Sequence, residues 1–188
     1  KDERLKVKIE SGVKELFFFD SNIKDYLSKL VISAHGERIK LRDYQQKAIV
    51  SAISQKRRII QSPTSSGKSS IIYGISKYLT DEIFREHERV LIVVPTINLV
   101  TQLKSDFKDY SKLNGWNVDS LVCTSLDKHE ERNKKILITT WQSIYKKDPR
   151  WFSNIRCMIF DEVHQATANS LTSIGKKCDA EFRIGLSG

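Results

Sequence analysis

From Arg42 onward two hydrophobic rhythms alternate along the chain. Short apolar runs, "RRII", "RVLIVV", "SLVCTS", "KILITT", "IRCMIF" and "FRIGLS", read as strands. Between them lie segments whose apolar residues recur every three or four positions, the spacing of one helix face. In "RDYQQKAIVSAI" these are Tyr44, Ala48, Ile49, Ala52 and Ile53. In "SSIIYGISKYLTDEIF" they are Ile71, Ile72, Ile75, Tyr78, Leu79 and Ile83, and in "NLVTQLKSDFKDY" they are Leu99, Leu103 and Phe107. "RVLIVV" is apolar without alternation and ends at Pro95, the pattern of a strand covered on both faces of a parallel sheet. Strand and helix in regular succession predict an α/β fold, a mostly parallel sheet with helices on both faces.

The first part of the chain reads differently. "LKVKIESGVKELFFF" predicts two strands around a Ser11-Gly12 turn, "SNIKDYLSKLV" a helix capped by Ser21, and "SAHGERIK" a connector. Residues 1–38 are therefore expected to form a small N-terminal α/β extension, and residues 39–188 the main domain.

Composition narrows the class. At 39% apolar residues the chain can bury a core. Its apolar runs are strand-sized, which excludes a membrane-spanning reading. Cys123, Cys157 and Cys178 form no CxxC pair, so they predict core filler in a reduced, cytoplasmic protein (host cytoplasm if viral), without structural zinc. A net charge of +9 suits a polyanionic partner. The basic clusters at 55–58, 132–135, 146–150 and 176–177 read either as solvated loop edges or as parts of such a surface. The chain starts at Lys1 and has Met158 as its single methionine, so it is expected to be part of a longer protein.

Chemistry enters at "SPTSSGKSS", residues 62–70, between the "RRIIQ" strand and the next helix. A strand, a small-residue loop closing on Gly-Lys-Ser, and a helix make the context of a phosphate-binding loop, in which backbone N–H groups converge on phosphate oxygens. Thr64, Ser65, Ser66, Gly67, Lys68, Ser69 and Ser70 are the expected nucleotide contacts. Lys68 would reach the β- and γ-phosphates, and the Ser69 hydroxyl a Mg²⁺ ion. The general pattern opens with a glycine where this chain has Ser62, so a Ser-rich turn stays open on the loop alone.

The second signal is "CMIFDEVH". Four apolar residues followed by Asp161-Glu162 put two carboxylates at the C-terminal end of a buried strand, the rim where open parallel sheets bind ligands. Burying paired acids is costly without a cation. Asp161 would hold Mg²⁺, and Glu162 would orient or deprotonate a water for γ-phosphate hydrolysis; an acidic cap on the following helix is the plainer alternative. Lysine loop and acid pair together predict an NTPase core.

These motifs, taken with "PTSSGKS", "DEVH" and the sequence between them, resemble the first RecA-like lobe of superfamily 2 DExH-type helicases and translocases, in which the leading glycine is dispensable. The resemblance implies a RecA-like P-loop fold, ATP and Mg²⁺ as cofactors, and several further roles. "LRDYQQKAI" looks like the adenine-reading segment, with Gln45 as the contact or Gln46 one position on. "VVPTINLVTQL" and "ITTWQSI" look like strand-binding motifs, implying nucleic-acid contacts from Pro95, Thr96, Gln102, Thr139, Thr140 and Gln142, with Trp141 either stacking on a base or packed internally. Ser187 in "GLSG" and His164 would couple the nucleotide site to strand movement. "TWQSI", "WFSNIRCMIFDEVHQATANSLTSI" and "FRIGLSG" are similar to the bacteriophage UvsW-type DNA helicases, and more distantly to XPB-type helicases. That similarity implies remodelling of branched DNA (forks, recombination junctions and R-loops), with single-stranded or branched DNA as partner and RNA as an alternative. It also implies a second RecA-like lobe elsewhere in the full-length protein. This chain by itself would then bind ATP weakly, hydrolyse it poorly and unwind nothing. Motor subunits of type I or III restriction enzymes, RNA helicases, other P-loop ATPases and a nucleic-acid-binding module with an inactive site are the other readings.

Overall fold

The computed structural model describes residues 20–62, 67–128, 133–162 and 168–188. The elements run α1 (20–29), β1 Ile32–Ala34, β2 Glu37–Ile39, α2 Asp43–Gln55, β3 Arg57–Gln61, α3 Lys68–Tyr78, β4 Arg89–Val94, α4 Ile97–Ser111, α5 Val118–Leu121, β5 Val122–Thr124, β6 Ile136–Thr140, α6 Trp141–Ile144, β7 Ile155–Phe160, α7 Ala168–Lys177 and β8 Phe182–Ser187. A π-helical turn, Leu79–Ile83, continues α3, and a 3₁₀ turn, Pro149–Phe152, leads into β7.

Six strands form one sheet in the order β3-β8-β7-β4-β6-β5, every pair parallel. The central β4 is buried from Val90 to Val94. Alternation along it divides the core in two. Val90, Ile92 and Val94 join Ile136, Ile138, Cys157 and Ile159 beneath α2, α3 and α4. Leu91 and Val93 join Leu137 and Met158 beneath α6 and α7. Both faces of the strand are apolar because both are covered, so the run shows no polar alternation.

Helix α3 is buried along its length from Ser70 to Tyr78. Gly74 admits α2 to close range, since a Cβ there would lie 2.5 Å from the Ile49 Cδ1 methyl. Ile23 of α1 and Ile32 of β1 enter the same core as α2, α3 and α4.

Three expectations change. "SAHGERIK" is a β1–β2 hairpin, not a connector; its His35-Gly36 turn has φ of 54° and 85°, the two positive values of a type I′ turn. Its Asp109 anchors come from α4, whose carboxylate accepts from the His35 N–H at 2.7 Å. In "SLVCTS" the strand is only Val122–Thr124, because Asn117 caps α5 by accepting from the Ser120 N–H at 3.1 Å. Ser21 lies inside α1, which already includes Asp20. The hairpin expected around Ser11-Gly12 falls outside the described residues.

Candidate nucleotide site

Because all six strands are parallel, the segments after β3, β4, β6, β7 and β8 leave the sheet along one rim. That geometry brings distant sequence together. Gly67, Lys68 and Ser69 line a cleft of about 310 Å³ with Val94, Leu99, Gln102, Leu103, Asp106, Asp161 and Glu162.

The loop-to-helix joint depends on Gly67. It sits at φ 75°, and a Cβ there would come within 2.6 Å of Gln45 Nε2. Gln45 is buried, and its Oε1 accepts from the Arg42 N–H at 2.9 Å, which fixes it at the start of α2. Its amide nitrogen is thus held against the loop. Gln46 turns away and donates to the Leu41 carbonyl at 2.9 Å, so the position facing the loop is Gln45.

Lys68 and Glu162 form an ion pair across the cleft. Glu162 holds a left-handed φ of 49°, uncommon for a residue with a Cβ, and its Oε2 also accepts from the Gly188 N–H at 3.3 Å. Behind it the Ser187 carbonyl accepts from the Ser62 N–H at 2.8 Å, closing the β3–β8 edge next to the loop. Ser187 therefore adjoins both the lysine loop and the acid pair.

Asp161 is fixed by its backbone N–H, which donates to the Val93 carbonyl at 2.9 Å. Its Oδ1 is buried and makes no hydrogen bond among the described residues. Burial raises the Asp161 carboxyl above its ordinary range, the Glu162 charge adds to this, and Lys68 opposes it. An orphaned carboxylate oxygen beside a lysine and a hydroxyl is chemically suited to a hard cation with phosphate oxygens as its other ligands.

Ser69 is the second would-be ligand. Its Oγ lies 2.7 Å from the Tyr110 hydroxyl, and Asp106 lines the cleft beside it. Burial raises the Asp106 carboxyl, and the Ser69 hydrogen bond opposes that rise. Neither α4 side chain stood out in the sequence. The available signal was spacing, since Leu99, Leu103, Asp106 and Tyr110 continue one helix face into polar residues.

The remaining expected residues separate. Ser70 is buried and donates to the Gly67 carbonyl at 2.7 Å. Thr96 is exposed and caps α4, accepting from the Leu99 N–H at 3.4 Å, next to half-buried Pro95. Gln102, expected on a nucleic-acid surface, is exposed and lines the cleft, because helical spacing puts it on the face of Leu99 and Asp106. Thr139 is fully buried in β6 and offers no surface to a strand. Thr140 is buried too, its hydroxyl 3.0 Å from that of Ser143. Gln142 is exposed, while half-buried Trp141 packs edge-on against Tyr145 at 6.0 Å. Thr64, Ser65, Ser66 and His164 lie outside the described residues.

A roomier cleft of about 740 Å³ between α1 and α3 contains none of these residues. No helix among the described residues is long and apolar enough to cross a membrane.

A family model described as type III restriction enzyme, res subunit, matches residues 38–188. The chain is 34% identical over 166 residues to the ATP-dependent DNA helicase uvsW of Enterobacteria phage T4, covering 87% of this chain and 32% of that protein. It is 31% identical over 158 residues to the DNA 3′-5′ translocase XPB2 of Sulfurisphaera tokodaii, covering 80% and 31%. The crystal structure of the UvsW helicase from bacteriophage T4 superposes with a TM-score of 0.79 at 32% identity, over 89% of this chain and 59% of that one. The chain thus spans about a third of the length of these curated relatives, and its fold is the RecA-like α/β lobe.

Proposed function

Given that this chain belongs to the type III restriction enzyme res-subunit family, we propose that it is the first RecA-like lobe of an ATP-dependent DNA helicase or translocase. The observation that carries this reading is the cleft itself, where Lys68, Ser69, Asp161 and Glu162 meet at the C-terminal rim of a parallel sheet. Residues 1–38 are the lobe's N-terminal extension, and a second RecA-like lobe of the full-length protein faces the cleft.

Gln45 reads the adenine edge, for which a primary amide can both donate and accept. Gly67 leaves room for phosphate, Thr64, Ser65, Ser66 and Ser70 complete the loop, and Lys68 binds the β- and γ-phosphate oxygens. When Lys68 turns to phosphate, its ion pair with Glu162 opens, and the Glu162 Oε1 that held Lys68 can orient and deprotonate the attacking water. Asp161 and Ser69 would hold Mg²⁺, which neutralises the charge developing on the phosphates. Pro95, Thr96 and Gln142 lie on exposed or half-exposed ends along the same rim and are the strand contacts, positioning the backbone without reading sequence. Ser187 and His164 pass the state of the nucleotide to that surface.

Similarity to uvsW and XPB2, named as DNA helicase and translocase, supports DNA as the partner; branched DNA as the substrate is our own proposal from the sequence motifs. The family's own description favours a second reading, the motor subunit of a restriction enzyme; a nuclease or methylase partner would mark it. The test is ATP hydrolysis by the full-length protein without nucleic acid, with single-stranded DNA, with a four-way junction and with RNA, beside Lys68→Ala. Stimulation by DNA that Lys68→Ala abolishes is expected. Hydrolysis indifferent to every nucleic acid would overturn the motor reading.

A further inference from the structure

Ser69 has one hydroxyl proton and two oxygen lone pairs to dispose of. Two side chains from α4 claim part of that capacity. The Asp106 carboxyl shares the cleft wall with this hydroxyl and, as an acceptor beside it, draws the Ser69 proton. The Tyr110 hydroxyl lies 2.7 Å from Oγ and is its donor in the arrangement that leaves the Ser69 proton to Asp106. One lone pair is left, and Ser69 itself lines the cleft.

Tyr110 is itself held in place. Its ring stands edge-on to Tyr73 at 5.4 Å, and its carbonyl accepts from Asn114 Nδ2 at 3.2 Å. The same amide donates to the Tyr73 hydroxyl at 2.9 Å and to the Val31 carbonyl at 2.7 Å. Tyr73 in turn packs edge-on against Phe107 and Trp116, each at 5.2 Å. An unpartnered serine hydroxyl samples three staggered wells; this framework leaves it one.

The need for such control follows from the donor set. Among the described residues no group of three or more His, Cys, Asp or Glu side chains could hold a metal. A cation here rests on Asp161, Ser69 and ligands supplied by the phosphates, as Mg²⁺ sites commonly do. The direction of one hydroxyl then matters more than it would in a cage of carboxylates.

We propose that Tyr110 and Asp106 are positioning residues of the metal site, which orient Ser69 so that its remaining lone pair meets the Mg²⁺ of bound nucleotide. The inference rests on the nucleotide-site reading and extends it to two residues on a different helix. Outer-shell partners of this kind are worth about 10–100-fold in metal affinity.

The experiment measures binding of a fluorescent ATP analogue to the full-length protein in Mg²⁺ and in EDTA, and takes the ratio of the two affinities. Tyr110→Phe keeps the ring and the aromatic packing but removes the donor. It should reduce the Mg²⁺-dependent gain by about tenfold or more while leaving binding in EDTA unchanged. Asp106→Asn should reduce the gain in the same way. Ser69→Ala should lose it as well, and Ser69→Ala combined with Tyr110→Phe should be no worse than Ser69→Ala alone, because both act through one hydroxyl. A wild-type gain that survives in Tyr110→Phe, or a loss of equal size in EDTA, overturns this inference alone. If nucleotide binding by the wild type ignores both Mg²⁺ and Lys68→Ala, the nucleotide-site reading falls and takes the inference with it.

Discussion

Lys68 and Glu162, from the first turn of α3 and the end of β7, are ion-paired at the mouth of the cleft with side chains only 12% and 16% exposed. The two residues with the largest expected parts in phosphate binding and water activation therefore hold each other. Glu162→Gln keeps the shape and removes the charge. It is expected to leave ATP binding intact while lowering hydrolysis by about 10²–10⁴-fold, the usual weight of a general base. Filter binding of labelled ATP beside phosphate release would check this, and parallel losses in both would refute the assigned role.

Gly67 answers to two constraints, a left-handed φ of 75° and the Gln45 amide 2.6 Å from where a Cβ would stand. Gly67→Ala should cost about 1–2 kcal/mol, seen as a lower Tm, and should displace Gln45. Gln45→Ala alone should leave triphosphate binding in place but erode the preference for ATP over other nucleoside triphosphates. Competition binding with GTP and UTP distinguishes the two variants.

Burial sorts the candidate strand contacts. Thr139 is fully enclosed while Gln142 is exposed. Thr139→Val should leave DNA affinity unchanged, whereas Gln142→Ala should weaken it, measured by fluorescence anisotropy on labelled single-stranded DNA at fixed salt. Equal effects would mean that the rim opens when DNA binds.

Asp109 ties the β1–β2 hairpin to α4. Its carboxylate accepts from Lys112 Nζ and from the His35 N–H, each at 2.7 Å. Lys112 first and His35 second hold the carboxyl below its ordinary 3.8. A carboxyl depressed on folding gives stability that is complete above its unfolded value and lost as pH falls through the folded one. Hydrogen exchange should therefore show residues 32–39 losing protection on acidification below about pH 4, ahead of the sheet. In Asp109→Asn, whose amide does not titrate, that acid-dependent step should vanish.

What the sequence revealed depended on whether periodicity or proximity was being asked for. β4 was legible because burial on both faces leaves an unbroken apolar run from Val90 to Val94, and the Gly67-Lys68-Ser69 joint because strand, loop and helix follow one another directly. The β1–β2 hairpin was missed because His35-Gly36 stands where Asn-Gly would have been the recognisable turn. Thr139 and Thr140 looked available because a strand end gives no sign of what covers it. Spacing could place Asp106 and Tyr110 on one face of α4 but could not say that this face meets Ser69. That is a property of how two helices pack, and no local pattern encodes it. Gln45 and Gln46 were equivalent in composition and were separated only by the backbone group each amide reaches, the Arg42 N–H for Gln45 and the Leu41 carbonyl for Gln46.

Helix α4 runs without a break from the Thr96 cap to Ser111, with Tyr110 near its far end. It works as a gauge rod, since each residue advances it 1.5 Å and turns it 100°. A single insertion or deletion between Thr96 and Tyr110 would swing the phenol to another side of the helix while every local side-chain preference stayed satisfied. The exposed positions of this stretch should accept many changes of residue type, but its length is a fixed dimension of the machine.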